Sequence, residues 1–358
     1  MNSELQNGLK ALLINQYEKY PLMQASDMLK LIYQNEFGCG HMVTDSAGCL
    51  RMIIEEAQAS AGNTPGGQCI EDIGGGLCRL RLDVLRQTTL APETLCSFFM
   101  QTANSHIGSA EGFEEKAAVL LSLCEGGVLP FDAREISRLL AESRANGHPP
   151  VRHSEQYRAE YSPAYRVVSK AFCDFLPLFC AVDGLVCEKQ RATAAIDGNS
   201  AAGKSSLAKL LKSVYDCNVF SMDDFFLQPF QRTPRRLEQP GGNVDYERFA
   251  EEVAKPLASG IPPRFRVYDC QTQRLSEFIE AAPTAINIVE GVYSLRPELI
   301  GAYDLKVFLS VGEDEQSRRI KKRNPFLYER FKSEWLPMER KYFEAFAIRE
   351  KCDIIFDT

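Results

Sequence analysis

The chain has 358 residues, of which 45% are hydrophobic and 25% are charged, and its formal net charge is −7 at pH 7. This length exceeds what one ordinary hydrophobic core accommodates and predicts two domains, and the composition is typical of a globular protein. The negative net charge disfavours nucleic acid as the main partner, because binding a phosphate backbone requires a basic surface.

The sequence also argues against a secreted or membrane-inserted protein. Its opening residues lack the basic and apolar regions of a secretory signal, and its most apolar stretch, 172–187, is interrupted by Asp174, Pro177 and Asp183. The twelve cysteines are scattered singly, without a Cys-x-x-Cys pair or a nearby Cys/His quartet. We therefore expect reduced thiols, no structural zinc, no membrane partner and a cytoplasmic location.

Residues 1–187 are predicted to form a mainly α-helical domain. Apolar residues recur with helical spacing in these segments: 9–17, 28–33, 50–54, 92–104, 110–124, 133–146 and 161–180. The stretch 60–68, rich in Gly, Pro and Asn, is predicted to be a loop, and the three glycines at 74–76 a turn into a strand. This half resembles no family that we recognise, and its role is left open.

One segment of this half, 149–168, combines basic and aromatic side chains. It interleaves arginines and a histidine with three tyrosines: Arg152, His153, Tyr157, Arg158, Tyr161, Tyr165 and Arg166. Such a mixture predicts either an anion pocket with stacking surfaces or an aromatic helix surface packed against the second domain. His41 and His153, together with Glu36, are candidate proton-transfer groups, although single histidines are more often structural.

From about residue 188 the pattern changes to short apolar runs that alternate with amphipathic helices. Five runs are predicted strands: 191–197, 217–222, 285–290, 304–311 and 353–356. This alternation predicts an α/β domain over 188–358, with a doubly wound parallel sheet of the P-loop NTPase type, covered by helices on both faces.

The first predicted strand of this domain leads into a glycine-rich loop. Gly198, Gly203, Lys204 and Ser205 match the pattern G-x-x-x-x-G-K-[ST] between a strand and a helix. The glycines allow backbone N–H groups to surround a phosphate; Lys204 is expected to reach the β- and γ-phosphates of ATP, and Ser205 to bind Mg²⁺. The predicted nucleotide-binding residues are Gly198, Asn199, Ser200, Ala201, Ala202, Gly203, Lys204, Ser205 and Ser206.

Carboxylates follow two other predicted strands. The Asn-Lys-x-Asp motif with which GTPases read the base does not follow the loop; instead, Asp223 and Asp224 follow strand 217–222, beside the expected phosphates. One of them, preferably Asp223, is expected to accept the proton of a substrate hydroxyl. The alternative is that both cap the next helix or bind Mg²⁺ through water. Glu290, which ends strand 285–290, is the predicted acid on the Mg²⁺ side.

The segment 313–324 carries a run of positive charge. Its basic residues are Arg318, Arg319, Lys321, Lys322 and Arg323. Such a run is usually a solvated helix surface, but after a strand of a phosphate-binding domain it can be a lid whose arginines stabilise the transferring phosphoryl group. Arg319 and Arg323, four residues apart on one helix face, are the candidate lid arginines.

Taken together, these motifs resemble the uridine kinase and phosphoribulokinase family of P-loop kinases over about residues 190–358. The matching segments, in the family's order, are "GNSAAGKSS", "SMDDFF", "NVDYERF", "RVYDCQTQR", "IVEGVY" and "YDLKVFLSV". The resemblance implies Asp223 as the catalytic base and Asp245 as the acid that holds ribose-type hydroxyls, with Tyr268 and Phe226 lining the acceptor pocket. From the residues alone, Asp245 can equally N-cap the helix that begins at Tyr246, and Tyr268 can belong to the core.

Two departures from the family concern the acceptor. Uridine kinases read the pyrimidine partly with a histidine shortly after the Tyr-Asp pair, where this chain has residues 270–274 without histidine. The histidines all lie in the first half: His41, His106, His148 and His153. The usual glycine–arginine pair of the lid is also missing, and a segment containing the only tryptophan, Trp335, stands in its place. The phosphoryl-transfer residues therefore carry over better than base recognition.

The sequence thus predicts an ATP- and Mg²⁺-dependent kinase that acts on a hydroxyl of a nucleoside- or polyol-like metabolite. The alternative is an ATP-binding regulator in which the kinase-like domain gates the helical half. The two differ in whether a second substrate accelerates ADP formation. A third hypothesis is a bifunctional enzyme whose first domain makes or consumes the phosphorylated product, and a homo-oligomer is compatible with all three.

Overall fold

The structure, a computed structural model, describes residues 3–40, 42–60 and 68–358. It divides into two compact units, the first ending at Leu176 and the second beginning at Pro177. The sequence prediction placed the boundary later, at 187/188. The difference is the helix 176–189, which from Pro177 onward belongs to the second unit. Its Asp183 accepts a hydrogen bond of 2.8 Å from the hydroxyl of Tyr215, the residue after the helix 204–214 of that unit.

The first unit is built from helices and one small sheet. Its described helices are α1 (Ser3–Lys19), α2 (Ala25–Phe37), α3 (Ser46–Ala59), α4 (Val84–Gln87), α5 (Pro92–Ser105), α6 (Ala110–Glu125), α7 (Ala133–Ala145), α8 (Glu155–Tyr161) and α9 (Lys170–Asp174). Its described strands are β1 (Ile70–Gly74), β2 (Leu77–Arg81) and β3 (Tyr165–Ser169). The apolar core contains side chains that recur on one face of α1, α2 and α6, among them Leu13, Met28, Ile32, Phe113 and Leu120.

The three strands of the first unit form an antiparallel sheet in the order β1-β2-β3. The turn between β1 and β2 uses the glycines at 74–76, whose φ angles of 73°, 63° and 74° suit glycine. Strand β3 corrects the sequence prediction, which placed 165–169 inside a helix. Val167 and Val168 are buried and pair with β2, so strand pairing of β-branched residues prevailed over the helical spacing around them.

The second unit alternates strands and helices. Its helices are α10 (Leu176–Lys189), α11 (Lys204–Val214), α12 (Pro234–Leu237), α13 (Tyr246–Phe249), α14 (Lys255–Ala258), α15 (Glu313–Arg323), α16 (Tyr328–Arg330) and α17 (Leu336–Phe346). Its strands are β4 (Ala192–Gly198), β5 (Cys217–Ser221), β6 (Arg264–Phe265), β7 (Tyr268–Asp269), β8 (Arg274–Leu275), β9 (Ile279–Glu280), β10 (Ile286–Glu290), β11 (Leu305–Ser310) and β12 (Ile354–Asp357). None of the helices in the described parts of the chain is both long and apolar enough to cross a bilayer.

Five strands of this unit form a parallel sheet in the order β12-β11-β4-β10-β5, which confirms the predicted α/β sheet. Every residue of β4 is buried, as its unbroken run of small and apolar residues requires at the centre of a parallel sheet. The chain leaves β4 toward β5 on one side and returns through β11 on the other. The carboxyl end of β4 is therefore the switch point at which α/β sheets bind ligands.

Candidate functional site

The glycine-rich loop lies at this switch point. It leaves β4 at Gly198, where φ is 136°, and enters α11 after Gly203, where φ is 103°. A Cβ atom at Gly198 would lie 1.9 Å from the backbone oxygen of Leu309, so only glycine fits against β11. The first N–H groups of α11 point into the loop, and the helix dipole favours an anion there.

Lys204, the first residue of α11, is buried with its ammonium group turned back over the loop. Its Nζ donates hydrogen bonds of 2.8 Å to the backbone oxygens of Gly198 and of Asn199. Burial lowers the pKa of Lys204, and the negative charges of Glu339, Asp197 and Glu290 oppose that shift. The lysine is thus a desolvated cation held in the position that the motif predicts.

Asp197, the residue before Gly198, anchors the base of the loop. Its fully buried carboxylate accepts hydrogen bonds from the N–H of Gly198 (2.7 Å), the N–H of Leu295 (3.0 Å) and the hydroxyl of Tyr342 (2.7 Å). Burial raises the pKa of Asp197, and these three donors offset part of that shift. The sequence assigned no role to Asp197, which is the last residue of the predicted strand 191–197.

Glu290 joins two strands at the mouth of the loop. It ends β10, and its two carboxylate oxygens accept hydrogen bonds from Ser205 at 3.1 Å and from Ser221 at 3.0 Å. The parallel register places it beside Ile196 of β4 and Ser221 of β5. Ser205 and Glu290, which the sequence nominated independently for the metal, are therefore neighbours.

Asp223 and Asp224 follow β5 in a 3₁₀ turn over Met222–Phe225. Asp223 is exposed, and its N–H donates a hydrogen bond of 3.4 Å to Ser221 Oγ. Asp224 is half-buried; burial raises its pKa, and the negative charges of Asp223 and Glu290 raise it further. The structure thus gathers three acids at the carboxyl ends of β5 and β10, with Asp223 the one that faces solvent.

These residues fit a divalent cation that also binds phosphate. No three His, Cys, Asp or Glu side chains in the described ranges form a ready metal cluster. The adjacent Ser205 hydroxyl and Glu290 carboxylate supply oxygen ligands. Mg²⁺ prefers this arrangement, because it takes one or two protein oxygens and completes its shell with phosphates and water.

The basic segment predicted as a lid is the regular helix α15, which lies against the loop. Gln316 donates a hydrogen bond of 2.9 Å to the backbone oxygen of Ser200, and Arg319 one of 3.2 Å to that of Ala201. Arg319 is also paired with Glu315 at 2.7 Å. Arg323 is the exposed last residue of α15. The two candidate arginines therefore differ, since Arg319 contacts the loop and Arg323 ends the helix.

Helix α17 contributes a carboxylate that sequence reasoning missed. Glu339 is buried, and it accepts hydrogen bonds from both the N–H and the hydroxyl of Ser200. Burial raises the pKa of Glu339. No spacing signal identifies this residue, because it lies 139 positions from its partner in the chain.

Asp245 is an N-cap, which was the alternative interpretation of this residue. One carboxylate oxygen accepts from the N–H of Arg248 at 3.1 Å, and the other from Gln231 Nε2 at 2.9 Å. Arg248 also forms an ion pair with this carboxylate at 3.5 Å. The side chain is buried, so its present contacts are internal ones.

The two aromatic residues nominated for the acceptor pocket lie in neighbouring short elements. Tyr268, in β7, is buried, and its hydroxyl accepts a hydrogen bond of 3.0 Å from Arg232. Phe226 is half-buried and forms an isolated bridge with Val244, just before Asp245. Asp245 also donates its N–H to the oxygen of Phe225, so these residues form one wall after β5.

His153 and Glu36, the two proton-transfer candidates among the described residues, bond to different partners. His153 is bound to Asp27 at 2.9 Å. Glu36 is paired with Lys116 at 2.7 Å and has separate neighbours. His41, like most of the predicted loop 60–68, lies outside the described residues.

Comparisons with known proteins find solved structures that cover about half of the chain. No protein-family model matches the sequence, and no curated protein matches it. Among solved structures, a possible uridine kinase from Bacillus stearothermophilus is 21% identical, with a TM-score of 0.37, over 51% of this chain and 100% of its own. A protein from Silicibacter sp. TM1040, provisionally assigned as a fructose transport system kinase, is 19% identical, with a TM-score of 0.36, over 46% of this chain and 89% of its own. At such identities and TM-scores, the function has to be argued from the residues of this chain.

Proposed function

We propose that the second unit is an ATP- and Mg²⁺-dependent kinase that transfers the γ-phosphoryl group to a hydroxyl of a small nucleoside- or polyol-like metabolite. One observation carries the proposal: the exposed Asp223 donates its N–H to Ser221, whose hydroxyl bonds to Glu290 beside Ser205, at the mouth of a glycine loop that holds a buried lysine. A phosphate-binding loop alone fits many nucleotide-binding proteins. A solvent-facing carboxylate next to it supplies the base that a hydroxyl acceptor needs.

The loop and its neighbours bind the nucleotide in this proposal. The N–H groups of residues 198–206 surround the phosphates, and Lys204 balances their charge. Ser205 and Glu290 hold the Mg²⁺ ion, which when bound neutralises charge on the phosphates. Lys204 binds backbone oxygens of the loop itself, so it can turn to a phosphate without breaking an ion pair of the fold.

Asp223 accepts the proton of the acceptor hydroxyl as its oxygen attacks the γ-phosphorus. Its exposure lets an acceptor reach it, whereas Asp224 is half-buried, and burial together with the negative charges of Asp223 and Glu290 raises the pKa of Asp224. Arg319, already in contact with the loop, and Arg323 are the groups that would stabilise charge on the transferred phosphoryl group.

The acceptor site in this proposal is the wall of Phe226, Asp245 and Tyr268 that follows β5. Asp245 would receive an acceptor hydroxyl at a carboxylate that also accepts from Gln231 and caps α13. Histidine, which would favour a pyrimidine, is absent from this half of the sequence. The acceptor is therefore proposed as a polyhydroxylated small molecule. The proposal also includes ATP as the phosphoryl donor and a cytoplasmic location.

The test measures ADP release from MgATP with pooled acceptors: nucleosides, pentoses and other sugars, pantothenate-like alcohols and hydroxy-amino acids. In the pool that stimulates turnover, Asp223→Asn should lower kcat by about 10²–10⁴-fold while ATP still binds. Asp224→Asn is the matched control, and we expect its kcat to stay within about tenfold of wild type, because the half-buried Asp224 is less accessible to an acceptor than the exposed Asp223. Near-full activity of Asp223→Asn contradicts the assignment.

A second candidate, a regulator gated by ATP, is favoured by the Glu339–Ser200 contact, which ties the loop to α17. It predicts ATP binding without acceptor-stimulated ADP release. A flat response to every pool, with ATP bound, supports this second candidate.

A further inference from the structure

The first unit contains a cavity that the proposed kinase does not use. Its volume is about 640 Å³, within the range of small-molecule sites. Residues of α2, α3, α5 and β3 line it, together with the segment 150–153. Much of the lining is apolar, including Val43, Met52, Phe99 and Val167. Such a cavity can receive the body of an organic molecule, and its few polar groups then determine which molecule.

A connected set of buried and half-buried side chains lies at one wall of the cavity and is here called the polar cluster: Asp27, Gln34, Glu71, Arg79, His153 and Tyr165. Gln34, His153 and Tyr165 are the members that line the cavity. His153 bonds through Nδ1 to Asp27 (2.9 Å) and through Nε2 to the Tyr165 hydroxyl (2.6 Å). Because Asp27 accepts the Nδ1 proton, Nε2 is free to accept the proton of Tyr165. His153 and Tyr165 both line the cavity, so the cluster reaches its surface.

Lys30 lies on the same wall without a carboxylate partner. Its Nζ donates a hydrogen bond of 2.8 Å to the backbone oxygen of Val151, and none of the ion pairs among the described residues includes it. Asp27 is already occupied by His153, by the N–H of Gln24 and by both the N–H and the hydroxyl of Ser154.

Among the other charged residues of the lining, Arg166 and Glu56 are paired through two bonds, of 2.7 Å and 3.0 Å. Asp45 keeps its negative charge and caps α3 by accepting from the N–H of Gly48 at 2.9 Å. Among the described lining residues, Lys30 is therefore the lysine or arginine without a carboxylate partner.

Two further cations lie near Lys30. Burial and the positive charges of Arg79 and Arg158 together lower the pKa of Lys30 to about 8, against the opposing effect of Asp27. The ammonium form still predominates near neutral pH. A half-buried cation with cationic neighbours is costly unless an anion joins it.

We propose that this cavity binds a small organic molecule through an oxyanion, a carboxylate or a phosphate, which pairs with Lys30. The apolar lining takes the rest of the molecule. The site lies wholly within the first unit, so the proposal stands independently of the kinase activity proposed for the second.

The test is competitive acetylation of lysines by acetic anhydride at about pH 8, near the pKa of Lys30, read by peptide mass spectrometry on the full chain. Sodium benzoate represents a carboxylate with an apolar body, and inorganic phosphate represents the phosphate group. At a concentration about ten times its Kd, a bound anion should slow acetylation of Lys30 by about tenfold, because the free site falls to that fraction. Lys209, an exposed lysine of α11, is the internal control and should keep its rate.

The variant Lys30→Met keeps the length of the side chain and removes its charge. Only benzoate is used for the Tm comparison, because the loop 198–206 is itself proposed to bind phosphate. A rise in Tm that benzoate causes in the wild type should be absent in Lys30→Met, whereas Lys209→Met should respond like the wild type. Protection of Lys30 from acetylation by benzoate alone assigns a carboxylate, and protection by phosphate alone assigns a phosphate. Failure of both anions to slow acetylation of Lys30 overturns the proposal, as does an equal Tm response to benzoate in Lys30→Met.

Discussion

The phosphate-binding loop and the polar cluster are both places where charge is buried, but they are built in opposite ways. The loop occupies consecutive residues, 198–206, and presents backbone N–H groups together with one lysine. The polar cluster joins residues from Asp27 to Tyr165, and every member acts through its side chain. Substitutions in the loop should therefore destabilise the protein at the positions where the backbone needs glycine. In the cluster, removing any one hydrogen-bond partner should destabilise it.

The largest effect is expected in the polar cluster. Arg79 is 2% exposed and donates to Gln34 at 2.9 Å and 2.8 Å and to Glu71 at 3.1 Å. Arg79→Met leaves buried acceptors without donors, so we expect the free energy of unfolding to fall by about 3–5 kcal/mol. Urea unfolding measures it. Arg81→Met on the same strand is the control, because Arg81 is paired with Asp83 but more exposed, and it should cost about 1 kcal/mol or less. Equal losses of unfolding free energy in Arg79→Met and Arg81→Met would contradict the prediction that the more buried arginine contributes more to stability.

The next effect tests the backbone of the loop. Gly198→Ala places a Cβ atom against the oxygen of Leu309 at a φ of 136°, and should lower the free energy of unfolding by about 2–4 kcal/mol and impair ATP binding. Gly203→Ala is matched in chemistry, but its Cβ meets no atom within 4 Å, so only its φ of 103° is unfavourable. We expect about 1–2 kcal/mol there. The prediction is contradicted if Gly203→Ala lowers the free energy of unfolding more than Gly198→Ala does.

A smaller effect concerns protons at the polar cluster. Burial lowers the pKa of His153 to about 4, against about 6.5 in an unfolded chain, so the unfolded state binds a proton that the folded state excludes between these values. Stability therefore falls as the pH falls through this window, by about 2 kcal/mol between about pH 7 and about pH 5. Urea unfolding at both pH values measures it. His153→Gln should show a shallower dependence, and an unchanged slope would rule out His153 as its source.

The smallest effect is expected for a side chain of the loop itself. Ala201 has a φ of 62°, which glycine adopts more readily. Because the loop acts through its backbone, Ala201→Gly should change the free energy of unfolding by less than about 1 kcal/mol and the Kd for ATP by about twofold or less. Fluorescence titration with an ATP analogue provides the comparison. Loss of binding would mean that the Ala201 methyl group matters after all.

The same contrast explains what the sequence could predict. The loop, the five strands of the parallel sheet and the carboxylate Glu290 follow from local spacing and from the rule that parallel strands end at one edge. Strand β3 was missed because its pairing with β2 depends on residues about 90 positions away. Glu339, the Asp27–His153 bond and the position of Lys30 at a cavity depend on tertiary contacts, which leave no periodic signal. The composition of 149–168 predicts either an anion pocket or an aromatic helix surface packed against the second domain, and that choice stays a prediction.

Helix α17 holds the loop at two points on one of its faces. Tyr342 bonds to the fully buried Asp197 below the loop, and Glu339, one turn earlier, bonds to Ser200 in its outer half. Two attachments fix the rotation of α17 as well as its position, because a single bond would leave the helix free to turn about it. Ser200 is also bonded to α15 through Gln316, so two helices clamp the outer half of the loop from outside the sheet.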